Sequence, residues 1–434
     1  MFDIIVGRSK KKVEQFGTKG AVFLGKQYIK MGQVSSLSNN VYLDVADTHA
    51  IFICGKRGSG KSYTMGVIAE GIAALPPEIR NNISVVILDT MGIYWSMKFP
   101  NKKDANLLDK WGIKAKGLDV TVFTPKGFFE EFKEKGIPTD YPFSIKTEDL
   151  SAEDWLNVFG IDINTEIGAF IEKIINDVKE YFEEYDIPKI IKYIDDFDYS
   201  SEIKLIAKNR FENAMHWGLF SQDGTPIEEI LAPGRVSVID VSGYAALAGA
   251  ENVKSLAIGL IAQKAFEIRM KYRKEEEFSE LNSKMSLFSK TDVKELTIPL
   301  VWFIIDEAHE FLPKRGKTGA SKALITILRE GRQPGVSLVL ATQQPGKIHE
   351  DVLTQSDIVI SHRLTAKIDI DALGLLMQSY LREGLNTAID NLPKEKGAAI
   401  IFDDNNERLF PIKIRPRFTW HGGSTASALE QNEE

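Results

Sequence analysis

The chain has 434 residues, 43% of them hydrophobic and 26% charged, which is the balance of a soluble globular protein with a large core and two or three domains. Its net charge of −7 excludes coating nucleic acid through overall basicity, so DNA would have to be met by a few focused loops or by a ring in which several subunits each contribute. The single cysteine, Cys54, cannot form an intrachain disulfide, the N-terminal "MFDIIVGRSKKK" lacks the apolar run of a signal peptide, and no stretch approaches the ~20 apolar residues of a membrane span, which together point to the cytoplasm.

Residues 1–48 alternate apolar and polar positions in short runs broken by Gly20, Gly25, Gly32 and Asn39-Asn40, and read as a small β-rich, reduced barrel-like domain. From residue 49 the pattern changes to buried strands followed by helices. Apolar runs at 84–89, 120–125, 235–243, 299–306, 336–345 and 357–364 are long enough to be covered on both faces, the mark of a mostly parallel, doubly wound α/β sheet. That core takes in 49–145 and 231–423. Residues 146–230 carry apolar positions at three- and four-residue spacing and read as a helical insertion or bundle. The polar run 271–292 reads as a helix end followed by a solvated loop, and 424–434 as a disordered tail.

Within the core, "IFICGKRGSGKSYTMGVIAEGI" (51–72) reads as an apolar strand, a G-x-x-x-x-G-K-S loop and an amphipathic helix. Glycines let successive backbone N–H groups point inward at phosphate oxygens, and the following helix adds its positive end. The residues expected to hold ATP are Gly55, Gly58, Ser59, Gly60, Lys61, Ser62 and Tyr63, with Lys61 on the β- and γ-phosphates and the Ser62 hydroxyl on Mg²⁺. Lys56 and Arg57 are either solvated or in contact with the nucleotide or a neighbouring subunit.

"VWFIIDEAHEFLP" (301–313) ends an apolar strand on two adjacent acids, whose mutual repulsion disfavours ionising both unless something holds them. With a phosphate loop upstream, Asp306 would hold the metal through a water and Glu307 would orient and deprotonate the attacking water. His309 faces the pocket or, the preferred reading, packs beside Phe311. The next strand ends in Thr342, Gln343 and Gln344, polar groups able to sense the γ-phosphate. Arg329 and Arg332 stand at the end of the helix before it, where they either satisfy helix carbonyls or, in a ring, reach the next subunit's γ-phosphate. Lys314, Arg315, Lys317 and Lys322 form a basic stretch just after the acidic strand, readable as an exposed loop or as a sequence-independent contact with DNA phosphates.

Taken together, "HAIFICGKRGSGKSYT", "VVILDTMGIYW", "VWFIIDEAHEFLP", "REGRQPGVSLVLATQQP" and "IRPRFTWHGG" resemble the HerA branch of the HerA/FtsK superfamily of P-loop ATPases, through most of residues 40–423. The resemblance implies a homohexameric ring with a RecA-like sheet, a helical bundle on one face and double-stranded DNA in the central channel. It also implies a partner: a nuclease (NurA in archaea), or a sirtuin-like or other effector subunit in bacterial antiviral systems. Carried over by position, Lys61 and Ser62 bind ATP and magnesium, Asp306 and Glu307 serve metal and water, Gln343 is the sensor and Arg332 the finger acting in trans. Two motifs depart from the family's pattern. D-P-H-G-E-Y reads "DTMGIY" here, with Met91 and Ile93 in place of histidine and glutamate, and Q-R-P reads Gln343-Gln344-Pro345. A ring that uses ATP to assemble and switch an effector, without moving along DNA, is the alternative.

Overall fold

The computed structural model describes residues 3–31, 34–247, 250, 252–285, 298–374, 388–389 and 391–423. Fifteen strands are present among them: β1 (Ile4–Val6), β2 (Ala21–Met31), β3 (Val34–Asp44), β4 (Ala50–Cys54), β5 (Ile83–Asp89), β6 (Val120–Pro125), β7 (Tyr141–Phe143), β8 (Ile145–Lys146), β9 (Phe220–Ser221), β10 (Val236–Asp240), β11 (Leu300–Ile305), β12 (Val336–Thr342), β13 (Ile358–His362), β14 (Ala398–Asp403) and β15 (Arg408–Ile414). Thirteen of them form one sheet in the order β1-β3-β2-β15-β14-β13-β4-β12-β11-β5-β10-β6-β7, and β8 pairs with β9. From β13 to β7 every pairing is parallel, and the six apolar runs read from the sequence supply six of those strands.

Alternation along each central strand divides the core in two. On β4, Ile51 and Ile53 face the layer that holds the phosphate-loop helix (Lys61–Ala73), while Phe52 and Cys54 face the layer of the helical insertion and the long helix Val253–Met285. The insertion is built on four helices between Ala152 and His216, with Trp155 packed against Phe159, Phe211 and Phe220. Side chains cap the starts of three of them: Ser151 forms a capping box with Asp154, Thr165 accepts from the Gly168 N–H, and Asp186 accepts from the Lys189 N–H.

Two sequence-based expectations differ from the structure. Residues 1–48 do not form a separate barrel: β2 pairs antiparallel with β15, so β1, β2 and β3 continue the core sheet, and a helix, Lys10–Phe16, lies among them. The phosphate-loop helix is not amphipathic; from Thr64 to Ile72 all but Gly71 are buried, because the sheet covers one side and the C-terminal segment covers another. In the polar run 271–292, helix continues to Met285 and the remainder lies outside the described residues, as does the expected disordered tail 424–434. No described helix is long and apolar enough to cross a membrane.

Candidate nucleotide site

Parallel strands bring their C-terminal ends to one edge of the sheet, and the residues singled out above meet there. After Cys54 the chain turns through Gly55 (φ 156°), Gly58 (φ 73°) and Gly60 (φ 118°) before the helix starts at Lys61. Gly55 is obligatory for a second reason, since a Cβ there would come within 2.5 Å of Ser59 Oγ and 2.6 Å of His362 Cβ. Lys61 is 6% exposed, and burial lowers its pKa against the opposing fields of Asp306 and Glu307, which places all three in one pocket. Ser59 Oγ is buried without a hydrogen-bond partner.

The Ser62 hydroxyl donates directly to Asp306 Oδ2, and Asp306 Oδ1 accepts from the Glu307 N–H at 2.8 Å. β12 lies between β4 and β11, so its end sits between the phosphate loop and the acids. From there the Gln343 amide donates to Glu307 Oε1. Glu307 has left-handed backbone angles (φ 50°, ψ 41°), and its Oε2 is buried with no hydrogen bond. A non-glycine residue held in that region costs on the order of 1–2 kcal/mol, and such strain gathers at functional positions.

His309, expected to pack beside Phe311, turns instead into this polar cluster. Its Nδ1 is 3.1 Å from Thr342 Oγ1 and 3.5 Å from Glu307 Oε2, and its Nε2 is 3.4 Å from Gln344 Nε2. Among the described residues no group of three or more His, Cys, Asp or Glu stands ready to hold a metal. A hydroxyl and one carboxylate beside a glycine-lined loop fit magnesium that arrives with a phosphate chain, whose oxygens and water complete its shell.

Farther along the same edge, the "DTMGIY" turn is organised by Asp89. Its two carboxylate oxygens accept from the N–H groups of Met91 (3.1 Å), Gly92, Ile93 and Tyr94 (2.8 Å each). Burial, then the neighbouring Asp240 on β10, push the Asp89 carboxyl well above the usual carboxylate range. Tyr94, 1% exposed, directs its hydroxyl at the Ser62 carbonyl (3.4 Å), so this retained tyrosine, held by Asp89, braces the phosphate-loop helix. Met91 is 62% exposed.

Other expected residues lie elsewhere. Arg332 is exposed just before β12 begins, a strand length or about 20 Å from Gln343, and therefore cannot reach this site within its own chain. Arg329, at the same edge, pairs with Asp351 at 2.7 Å. Lys56, Arg57, Lys314, Arg315, Lys317 and Lys322 are all exposed. Sequence reasoning missed His362, which lies under the loop, and Glu70, which is fully buried and ion-paired at 3.0 Å with both Arg415 and Arg417. "ISHRL" carries no signal beyond a buried strand; the two arginines of "IRPRFTWHGG", in a segment otherwise apolar, were the available hint for Glu70.

With this geometry in place, the relatives are informative. The sequence model of the family described as "Helicase HerA, central domain" matches residues 29–264, more than half of the chain. The chain belongs to the HerA helicase family. A second family model, zonular occludens toxin (Zot), matches residues 252–380. The DNA double-strand break repair helicase HerA of Pyrococcus furiosus is 24% identical over 386 residues, covering 79% of this chain and 61% of that protein, and the probable DNA double-strand break repair helicase HerA of Methanocaldococcus jannaschii is 25% identical over 404 residues, 86% of this chain and 72% of that one. This HerA-family chain thus spans about three fifths of the length of its Pyrococcus relative. VirB4 of Thermoanaerobacter pseudethanolicus (TM-score 0.50, 13% identity, 91% of this chain and 96% of that one) and the bacterial conjugative coupling protein TrwBdeltaN70 (0.50, 12%, 96% and 94%) share the RecA-like P-loop ATPase fold.

Proposed function

We propose that this HerA-family chain hydrolyses ATP as one subunit of a homohexameric ring and uses the cycle to move double-stranded DNA through the central channel. The observation that carries the reading is the direct bond from Ser62 of the phosphate loop to Asp306, with Glu307 beside it and Gln343 on Glu307. Loop N–H groups and Lys61 would hold the β- and γ-phosphates, and Ser62 and Asp306 would hold magnesium. When bound, magnesium neutralises charge developing on the transferred phosphoryl oxygens. Glu307 Oε2, which accepts no hydrogen bond and has His309 Nδ1 3.5 Å away, takes the proton of the attacking water.

Gln343, bonded to the other oxygen of Glu307, relates the position of β12 to the presence of a γ-phosphate. Arg332 is assigned to the next subunit's site, because it stands at the opposite edge of the sheet from its own. The basic stretch Lys314–Lys322 follows the acids directly and is the candidate DNA contact. Its partners would be backbone phosphates, and binding would be salt-sensitive and indifferent to sequence. A NurA-like nuclease or a sirtuin-like effector is the partner class, in DNA end processing or antiviral defence; the HerA relatives named for double-strand break repair support DNA as the substrate.

The scaffold reading is favoured by one feature, the exposed Met91 and the apolar Ile93 where the family pattern has histidine and glutamate. Phosphate release by the purified protein, with and without linear duplex DNA, separates the two. Several-fold stimulation supports the motor, equal turnover supports the scaffold, and no turnover under either condition rejects both.

A further inference from the structure

His362 ends β13, the strand that neighbours β4 on the side away from the acids. The parallel register sets Ser361 opposite Cys54, so the histidine comes level with Gly55, the first residue of the phosphate loop. A Cβ on Gly55 would lie 2.6 Å from His362 Cβ, and one on Gly60 would lie 3.4 Å from His362 Cε1. Both ends of the loop therefore rest on this one side chain. His362 is 1% exposed, and each ring nitrogen is occupied. Nδ1 is 3.1 Å from the Ala398 carbonyl, which can only accept, so Nδ1 carries the hydrogen. Nε2 is then an acceptor, and the Thr64 hydroxyl donates to it at 2.9 Å. Thr64, itself fully buried, donates its backbone N–H to the Gly60 carbonyl at 2.9 Å, which closes the path from the histidine back to the loop.

We propose that His362 is a positioning residue for the phosphate loop: as a neutral acceptor it fixes Thr64 in the first turn of the helix and so sets the path of Gly55–Gly60 that aims the loop's N–H groups at the nucleotide. The inference rests on the nucleotide-site reading and adds to it a residue from a strand outside the loop and acid motifs. Neutrality matters for two reasons. A protonated ring would have no lone pair for Thr64, and it would place a cation beside buried Lys61. Burial, with Lys61 adding to it, keeps the imidazole neutral down to about pH 4.

The test measures binding of mant-ATP with Mg²⁺ to the full chain, wild type and His362→Ala, His362→Gln, His362→Asn, Thr64→Val, the His362→Ala/Thr64→Val double variant and Lys61→Ala, with a thermal melt of each. Losing the one hydrogen bond and its seat is expected to weaken binding about tenfold in His362→Ala and in Thr64→Val. The double variant is expected to be no weaker than either single one, because both remove the same link. Gln can present an oxygen to Thr64 and is expected to recover to within about threefold, whereas Asn, which reaches only the Ala398 side, is not. Wild-type affinity in Thr64→Val and His362→Gln together with no difference between Gln and Asn overturns the proposal, as does a double variant whose losses multiply. If wild type binds mant-ATP and Lys61→Ala does not, failure of the histidine variants to weaken binding refutes this inference alone. If wild type itself does not bind, the site reading falls and takes the inference with it. Gln and Val preserve most of the volume, so the result does not depend on His362→Ala folding.

Discussion

Glu70 is the strongest test of how the phosphate-loop helix is held. Its carboxylate has no solvent exposure, and it accepts from Arg415 and Arg417 at 3.0 Å each, from the N–H groups of Phe418 and Thr419 at 3.1 Å each, and from the Thr419 hydroxyl. The two arginine side chains are 4% and 1% exposed. Glu70→Ala leaves two buried guanidinium groups without their carboxylate, and breaking a buried pair from one side costs about 3–5 kcal/mol. Against a total stability on the order of 5–15 kcal/mol, that is a large fraction. Urea unfolding followed by the summed fluorescence of the six tryptophans measures it. Replacing the whole cluster with apolar groups removes the buried charge altogether, so Glu70→Met/Arg415→Met/Arg417→Leu is expected to be more stable than Glu70→Ala, although Arg415 also donates to the Val67 and Phe23 carbonyls. A loss below about 1 kcal/mol in Glu70→Ala, or a triple variant as unstable as the single one, would refute this reasoning.

Three further outcomes are expected. His49 is buried at the opposite edge of the sheet, where burial opposes its charge but the hydrogen bond to Asp357 (2.6 Å) and the Asp44 carboxylate 3.9 Å away prevail and carry its pKa up to about 9. Its folded value lies above its unfolded value, so the stabilisation is complete below about pH 6.5 and is lost as pH rises through about 9; melting temperatures between pH 6 and 9.5 should fall in wild type and fall less steeply in His49→Gln. Doping Arg332→Ala subunits into wild-type rings should depress ATP turnover more than in proportion, since each also disables a neighbour's site, and strictly proportional loss argues against action in trans. Reversing the charge of Lys314, Arg315, Lys317 and Lys322 should weaken duplex binding at low salt and flatten the salt dependence by roughly 0.9 for each DNA phosphate that is no longer neutralised; unchanged affinity removes this loop from the DNA path.

The parallel core was legible because strands buried on both faces must be apolar along their whole length, and β5, β11 and β12 coincide with runs read at 84–89, 299–306 and 336–345 to within a residue or two at their starts. The loop and acids were legible because their chemistry fixes residue type and spacing. What could not be read depends on pairings far apart in the chain. β2 meets β15 across nearly the full length, which turns the N-terminal strands into part of the main sheet. Glu70 occupies what looks like a solvent-facing helix position, and only the return of Arg415 and Arg417 makes it interior. His362 owes its place under the loop to strand order, with β13 beside β4, and strand order leaves no local mark in sequence. His309 was misread because the end of β12, which supplies Thr342 and Gln344, was needed to draw it away from Phe311.

On the proposed function, Lys61, Ser62, Asp306 and Glu307 make one ATP-hydrolysing pocket, with Glu307 serving the water rather than the nucleotide. Glu307→Gln tests it most directly, through nucleotide affinity and steady-state phosphate release measured on the same preparation. Affinity within a few-fold of wild type with turnover reduced by two or more orders of magnitude is the expected result; turnover that persists near the wild-type rate contradicts the account.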